Sequence, residues 1–393
     1  MNKRIYLDYS ATTPMKEEVL EEMHPYFIEK FGNPSSIYAY GREAKQGVDM
    51  ARERVAKAIG AKSQEIYFTA GGSEADNWAI KGIAYANKDK GHHIITTKIE
   101  HHAVLHTCEY LEKNGFEVTY LDVDEYGMIS LEDLTNAITD KTILISIMFA
   151  NNEVGTIQPI KEIGQIAKEK GVYFHTDAVQ ALGNVKINVQ ELNIDLMSMS
   201  AHKIYGPKGI GALYIRQGVK MHAFIHGGAQ ERKRRAGTEN TPAIVGFGKA
   251  AELAMENIDH HIDHLTTLRN KLIQGIMENV EYVRLNGHPE QRLPGNANLV
   301  FEFIEGESLL LSLDMVGIAG SSGSACTSGS LDPSHVLMAL GLPHEIAHGS
   351  LRLTIGDFTT AEDIDYVISE IPKIVDRLRQ MSPLYEKVKG GQQ

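Results

Sequence analysis

Only two cysteines, Cys108 and Cys326, occur in 393 residues. That scarcity excludes a disulfide framework and confines any thiol chemistry to one of two positions. Long apolar runs are missing too: the best, "ILISIMFA" (143–150), is far too short to span a bilayer, and "MNKRIYLDYSATTP" at the start has no signal-peptide segment. The expected compartment is the cytoplasm. Basic residues are in deficit, 39 against 51 acidic, for a formal charge of -12. Counterion release needs clustered basic groups, so neither nucleic acid nor an anionic membrane is expected as a partner. The one basic cluster, "ERKRR" (231–235), is too short to reverse this. An anionic ligand would have to be held by local donors. Internal repeats are absent, and low complexity is confined to "GIAGSSGSACTSGS" (317–330), whose Gly/Ser content predicts a mobile loop.

With 42% hydrophobic residues, the chain can bury a large core, and its length favours two domains or one large domain with an appendage. From residue 65 to about 215, short β-rich runs alternate with helical patterns: "IYFTA" (66–70), "HHIITT" (92–97), "FEVTYLD" (116–122), "TILISIMFA" (142–150), "VYFHTDA" (172–178), "IDLMSM" (194–199) and "IGALYIR" (210–216). "IKEIGQIAKEKG" (160–171) has the spacing of a crossover helix. This rhythm predicts an α/β fold with a mainly parallel sheet covered by helices on both faces, and ligands beyond the carboxyl ends of the strands. After about residue 258 a long amphipathic stretch precedes "NANLVFEF" and "SLRLTIG", which reads as a smaller α+β domain. The expected division is 15–258 for the large domain, with 1–14 and 259–393 forming the small one and carrying the 317–330 loop.

Three features of the first region converge. "IYFTAGGSEADNWAIKG" is a strand, a glycine pair and a helix opening with a capping-box pattern at Ser73 and Asp76. A strand, glycine turn and helix start favour a phosphate through unpaired N–H groups and the helix dipole, although an ordinary capped helix has the same pattern. "HTDAVQ" (175–180) sets Asp177 at a buried strand end, where a carboxylate wants a cationic partner or serves as a helix cap. "SMSAHKIYGPKGIG" (198–211) sets Lys203 on the same rim, ahead of a tight Gly/Pro turn. By itself such a lysine is usually solvated. Phosphate cradle, acid and lysine together are the parts of a pyridoxal 5′-phosphate site, which needs a Schiff-base lysine and a carboxylate for the ring nitrogen. Bringing that lysine from about 10.4 to near 7 takes roughly 4 kcal/mol, which burial and a nearby cation can supply.

Eight ordered blocks then carry a family resemblance over nearly the whole chain: "YLDYSATTP", "GNPSSIYAYGREA", "EHHAV", "NNEVGTIQPI", "HTDAVQALG", "SAHKIYGPKGIGALY", "GGAQERKRRAGTEN" and "GSACTSGSLDPSHVL". They resemble the cysteine desulfurases of the nitrogen-fixation and iron–sulfur-assembly type, among the class-V aminotransferases of the fold type I pyridoxal-phosphate enzymes. The "GSACTSGS" form resembles the group with a long cysteine loop. The resemblance implies that Lys203 carries the cofactor, Asp177 pairs with its pyridinium nitrogen and Gln180 bonds its ring hydroxyl. His101 would stack on the ring and handle protons. Gly72, Ser73, Ser200 and His202 would hold the phosphate, together with Thr238 reaching in from the second subunit of a homodimer. Asn152, beside the cofactor, and Arg352 would hold the substrate carboxylate, and Cys326 would accept sulfur. L-cysteine would become L-alanine, leaving a persulfide for a sulfur-acceptor scaffold protein that serves cluster assembly. Two departures stand out: Gly72 and Ser73 replace the Ala and Thr frequent in relatives, and the tail, which runs to "SPLYEKVKGGQQ", is shorter than in several of them.

Other readings compete. His102 and His106 stand at i, i+4, a spacing a zinc site uses, but no third ligand has a recognisable position, and "HHIDH" (260–264) reads as a solvated helix face; no metal is expected. Cys108, on the helical pattern "HAVLHTCEYLEK", reads as a packing residue. An aminotransferase or lyase on the same scaffold, or a non-catalytic thiol scaffold, are the alternatives. Alanine release without a keto acid, and the visible spectrum of the protein, separate them.

Overall fold

The structure, a computed structural model, describes residues 4–322, 333–383 and 385–386. Twelve strands are present among these: β1 (Ile5–Tyr6), β2 (Ile66–Thr69), β3 (His93–Thr97), β4 (Glu117–Leu121), β5 (Thr142–Ser146), β6 (Tyr173–Asp177), β7 (Leu196–Ser200), β8 (Gly211–Ile215), β9 (Val283–Leu285), β10 (Asn296–Phe301), β11 (Ile318–Ala319) and β12 (Ser350–Thr354). The main sheet runs in the order β2-β8-β7-β6-β5-β3-β4. It is parallel except at β8, which pairs antiparallel with both β2 and β7. Its central strands are buried along their whole length, so they read as continuous apolar or small-residue runs rather than as alternating patterns. The crossover helix Ile160–Lys170 ends at Gly171 in the left-handed conformation (φ 67°), which closes the helix and lets the chain turn back into β6.

Apolar packing divides into distinct clusters. Two lie on the faces of the main sheet, one around Phe68, Ile145, Phe174 and Phe247 and the other around Trp78, Ile83, Ile94 and Leu213. A separate core joins Ile5 and Leu7 with Leu272, Leu299, Leu353 and Ile371. There β12, β10 and β9 form an antiparallel sheet, and β1 pairs with β11 in parallel. The N-terminal residues therefore pack with the second half of the chain. A small cluster of Ile99, Met148, Val154, Val300 and Val336 lies between the loops of the first unit and the second.

The loop expected over 317–330 is corrected at its start. Ile318, buried beside Ile5, makes β11. Ser321 and Arg352 then exchange backbone hydrogen bonds. An apolar residue with a free strand edge to pair with wins over the local Gly/Ser content. Cys326 lies outside the described residues. Cys108 is fully buried, and burial pushes its thiol above the ordinary range, which suits a packing residue. Among the described residues, no helix is long and apolar enough to cross a membrane.

The helices Ala39–Ala58 and Thr241–Glu256 pack so closely that a Cβ at Gly248 would lie 2.5 Å from the Cα of Ala51. Backbone cannot yield as a side chain can. Gly248→Val is therefore expected to destabilise the fold by about 1–3 kcal/mol, the usual cost of overpacking, read as a lowered midpoint in denaturant unfolding.

Candidate functional site

Lys203, Asp177 and Ser200 come together because β6 and β7 are parallel neighbours. Asp177 is the last residue of β6 and Ser200 the last of β7, and the single turn Ala201–Lys203 follows directly. Lys203 Nζ donates to the carbonyl oxygens of Ser10 and, at 2.8 Å, Ala11. The N-terminal segment thus lies across the strand ends. Lys203 lines a cavity of about 450 Å³ that also takes in Ser10 and Gln180. Gln180 is buried and donates to the Ser10 carbonyl at 3.0 Å.

A second cavity, about 480 Å³, is lined by Gly71, Gly72, Ser73, Ser200 and His202, with Thr12 opposite. Here the capping-box expectation fails. The helix Gly72–Asn87 starts after Gly71 with no side-chain cap, and Ser73 and Asp76 lie inside it. Asp76 is fully buried rather than folded back onto the helix start. The open donors of the first turn, with the positive end of the helix dipole, suit an anion. A Cβ at Gly72 would sit 2.6 Å from Val179 Cγ2, so glycine lets the turn lie against the β6 end of the sheet. Across the cavity, His202 Nδ1 lies 3.1 Å from Thr12 Oγ1. Burial first, then Lys203 and Lys208, push its imidazole down to about 4, leaving it neutral.

The acids beneath this rim are unequal. Burial pushes Asp177 up to about 6, opposed by the Val179 N–H on Oδ1 at 2.9 Å and by Lys203. Asp76 is raised well above its usual range, by burial and then by Asp177, and its Oδ1 has no hydrogen-bond partner among the described residues. Asp177 is therefore the member that holds a negative charge beside the lysine. His175 stands between Ser146 Oγ and Ser198 Oγ, at 2.9 Å from each, and burial pushes it down to about 3. It buttresses the strands as a neutral ring.

His101 caps the next helix, Nδ1 accepting from Ala103 N at 3.1 Å, which leaves the proton of the neutral ring on Nε2. Burial, then Lys203, His335 and His106, lower its pKa. His102 stacks on His106 (ring centres 5.0 Å) and stands 4.8 Å from His335, yet no group of metal-ligating residues is present among the described residues. Arg352, on β12, donates from Nη2 to Asp8 at 2.9 Å and from Nη1 to the Asn152 carbonyl at 3.1 Å. Its buried Nε has no partner among the described residues, so a donor remains for a carboxylate. Thr238 is exposed and lines neither cavity of its own chain.

Several contributors escaped sequence reasoning. Glu100, inside the quoted "EHHAV", is buried, accepts from Thr97 Oγ1 and Met148 N at 2.8 and 2.9 Å, and is pushed by burial to about 8. Glu153, inside "NNEVG", accepts from Ser334 Oγ and is pushed to about 7. Asp8 was likewise in view without a role, and Asp76 was in view only as a helix cap. Only burial distinguishes these acids from surface ones, and single-sequence pattern does not report burial of a carboxyl in a loop.

An uncapped helix start facing Ser200 and His202, a charged acid at one strand end and an amine just past the next fit pyridoxal 5′-phosphate in donor set and in polarity. Strand order, parallel sheet and strand-end site define a fold type I pyridoxal-phosphate enzyme, and the chain belongs to the aminotransferase class-V family, which matches residues 5–367. Within it, the chain is 65% identical over 388 residues to the cysteine desulfurase IscS of Clostridium botulinum (strain Hall), covering 98% of each chain. It is 63% identical to the cysteine desulfurase IscS of Methanosarcina thermophila, covering 98% of this chain and 95% of the relative. Among solved structures, a NifS-like protein superposes with a TM-score of 0.90 at 40% identity, over 96% of this chain and all of the other.

The buried acids predict a pH dependence. Glu100 goes from an ordinary 4.5 to about 8 and Glu153 to about 7, so the folded chain keeps protons that the unfolded chain has released. Unfolding then loses protons in that window, and stability falls as pH rises from about 4.5 to 8. The melting temperature of cofactor-stripped protein should decline across this range, and Glu100→Gln should flatten the slope; an unchanged slope would remove Glu100 as a source.

Proposed function

We propose that the rim formed by Lys203, Asp177, His101, Gln180 and the Gly72–Ser73 helix start is the catalytic centre of this cysteine desulfurase, with Cys326 as its sulfur acceptor. One observation carries the assignment: the ends of β6 and β7 set a charged acid and an amine side by side, next to an uncapped helix start. When bound, pyridoxal phosphate supplies an electron sink conjugated to the substrate Cα. Lys203 Nζ would hold the cofactor and would take up the Cα proton of the substrate. Asp177 keeps the ring nitrogen protonated. His101, neutral with its proton on Nε2, would pack against the cofactor ring and pass protons. Gly72, Ser73, Ser200 and His202 hold the phosphate. Arg352 Nε and Asn152 bind the substrate carboxylate.

Sulfur leaves as the Cys326 thiolate attacks the substrate sulfur. The C–S bond breaks, an S–S bond forms, and the bonding pair passes to the substrate carbon, which takes up a proton. L-cysteine and a thiol become L-alanine and a persulfide, balanced with no outside oxidant. A thiol of ordinary pKa is only a few per cent thiolate at neutral pH, so the site has to favour its ionised form. The persulfide then passes to a sulfur-acceptor protein for iron–sulfur assembly. A free acceptor thiol requires a reducing compartment, which supports the cytoplasm.

A homodimer completes the site in this reading. Phe27, Ile28, Phe31, Ile37 and Tyr38 are exposed, Ile37 at 89%. Such an apolar surface marks an interface, here with a second copy. Thr238, exposed on its own chain, is assigned to the partner's phosphate. Residues 15–258 form the cofactor-binding domain, and 1–14 with 259–393 the second.

Lys203→Ala should lose the borohydride-trapped cofactor adduct and at least about 10³-fold in turnover, within the range of a proton-transferring group. Persistence of the adduct at this site would refute the lysine. Cys326→Ala should stay yellow yet yield no sulfide, and mass spectrometry of the native enzyme after cysteine should show one added sulfur on Cys326. Mixing Lys203→Ala subunits with Thr238→Glu subunits tests the dimer. If Thr238 acts across the interface, each hybrid has one intact site and activity returns; if it acts within its own chain, the mixture stays dead.

A further inference from the structure

The "ERKRR" cluster has no part in the chemistry above, and its backbone is unusual. Glu231 (φ 44°), Arg232 (φ 56°) and Lys233 (φ 67°) are three successive left-handed residues, none of them glycine. Each carries the Cβ clash of that region, so something must hold them there. Glu231 is buried and paired twice with Arg52, Nη1 to Oε2 and Nη2 to Oε1, both at 2.7 Å. Its Oε2 also accepts from the backbone N–H of Phe68 at 3.0 Å. Arg52 and Arg232 both donate to the Ile66 carbonyl, at 2.8 and 2.6 Å, and the Arg232 guanidinium lies 4.1 Å from the Tyr67 ring centre. Farther along, Arg235 grips Glu74 through Nε at 2.8 Å and Nη2 at 3.1 Å, and Glu74 Oε2 accepts from Ala70 N at 3.0 Å.

These contacts have a common geometry. Ile66 and Phe68 are on β2, an edge strand whose outward backbone groups need partners from outside the sheet. Ala70 and Glu74 flank the Gly71–Gly72–Ser73 turn. One five-residue segment therefore holds the strand entering the turn and the helix leaving it. Arg52, Glu231 and Arg235 do not line the cavity, so they act on it only through the backbone they fix.

We propose that residues 231–235, whose left-handed turn over Glu231, Arg232 and Lys233 is locked by the Arg52–Glu231 pair, form a clamp that sets the phosphate cradle, with Arg52, Glu231 and Arg235 as its positioning residues. The inference rests on the reading of that turn as the phosphate site. The clamp runs directly into the segment bearing Thr238, so it also fixes where that residue leaves the surface.

Cofactor-stripped full-length enzyme, titrated with pyridoxal 5′-phosphate and in parallel with pyridoxal, separates ring binding from phosphate binding through the visible absorbance of the bound aldehyde. Glu231→Gln should weaken the phosphorylated ligand about 10-fold or more, the scale on which supporting partners of ligand-holding groups act, and leave pyridoxal within about twofold. Arg235→Ala, which removes only a partly exposed ion pair, should shift the same ratio in the same direction, and Arg235→Lys should recover most of it. Equal loss for both ligands, or no loss in a folded Glu231→Gln protein, overturns the clamp. If Glu231→Gln does not fold, an unchanged ratio in Arg235→Ala overturns it instead. A wild-type enzyme that binds both ligands alike sinks the cradle reading, and the clamp with it.

Discussion

The site depends on a negative charge kept beside an amine at the carboxyl end of a buried sheet. Burial alone would neutralise Asp177, as it does Asp76. The Val179 N–H and the Lys203 ammonium offset enough of that penalty to leave Asp177 as the ionisable member of the pair. A carboxylate in this position can keep a ring nitrogen protonated, which a solvated carboxylate does only weakly because water screens it. The parallel pairing of β6 with β7 is what makes the arrangement rigid.

Charge is placed sparingly around that pair. His101, His175 and His202 all have lowered pKa values, with burial the largest cause in each case. Two of these imidazoles, His101 and His202, thus stand near the Lys203 ammonium without adding like charge to it. Neutral rings also keep hydrogen-bond roles fixed, as the Nδ1 acceptor of His101 illustrates. The positive potential that suits an anion comes from the helix start, where backbone donors do the work of basic side chains. A chain of net charge -12 can therefore hold a phosphate without a basic surface.

Most of the main sheet was legible in the sequence. The runs at 92–97, 172–178 and 210–216 became β3, β6 and β8 with shifts of a residue or two, because fully buried strands must be apolar, small or paired throughout. The resemblance carried by the eight motif blocks named the residues whose neighbourhood the structure then described: Lys203 and Gln180 around one cavity, Gly72, Ser73, Ser200 and His202 around the other. Local pattern misled at Ser73 and Asp76, since a capping box and an open anion site begin with similar residues and only packing chooses between them. It misled again at Ile318, where a distant strand, β1, supplied the pairing edge. The acids Glu100 and Glu153 were unreadable as buried groups for the same reason: their burial is made by chain segments far away in sequence.

By itself the sequence determined the alternation of strands and helices, the position of Asp177 at one strand end and of Lys203 just beyond the next, and the scarcity of thiols, because periodicity, turn residues and composition are local properties. Tertiary structure alone decided that β8 runs against its neighbours, that the first residues join the second core, and that Arg52 meets Glu231 across 179 positions to hold a left-handed turn. Those outcomes depend on which surfaces exclude water together, and that is a property of the folded whole.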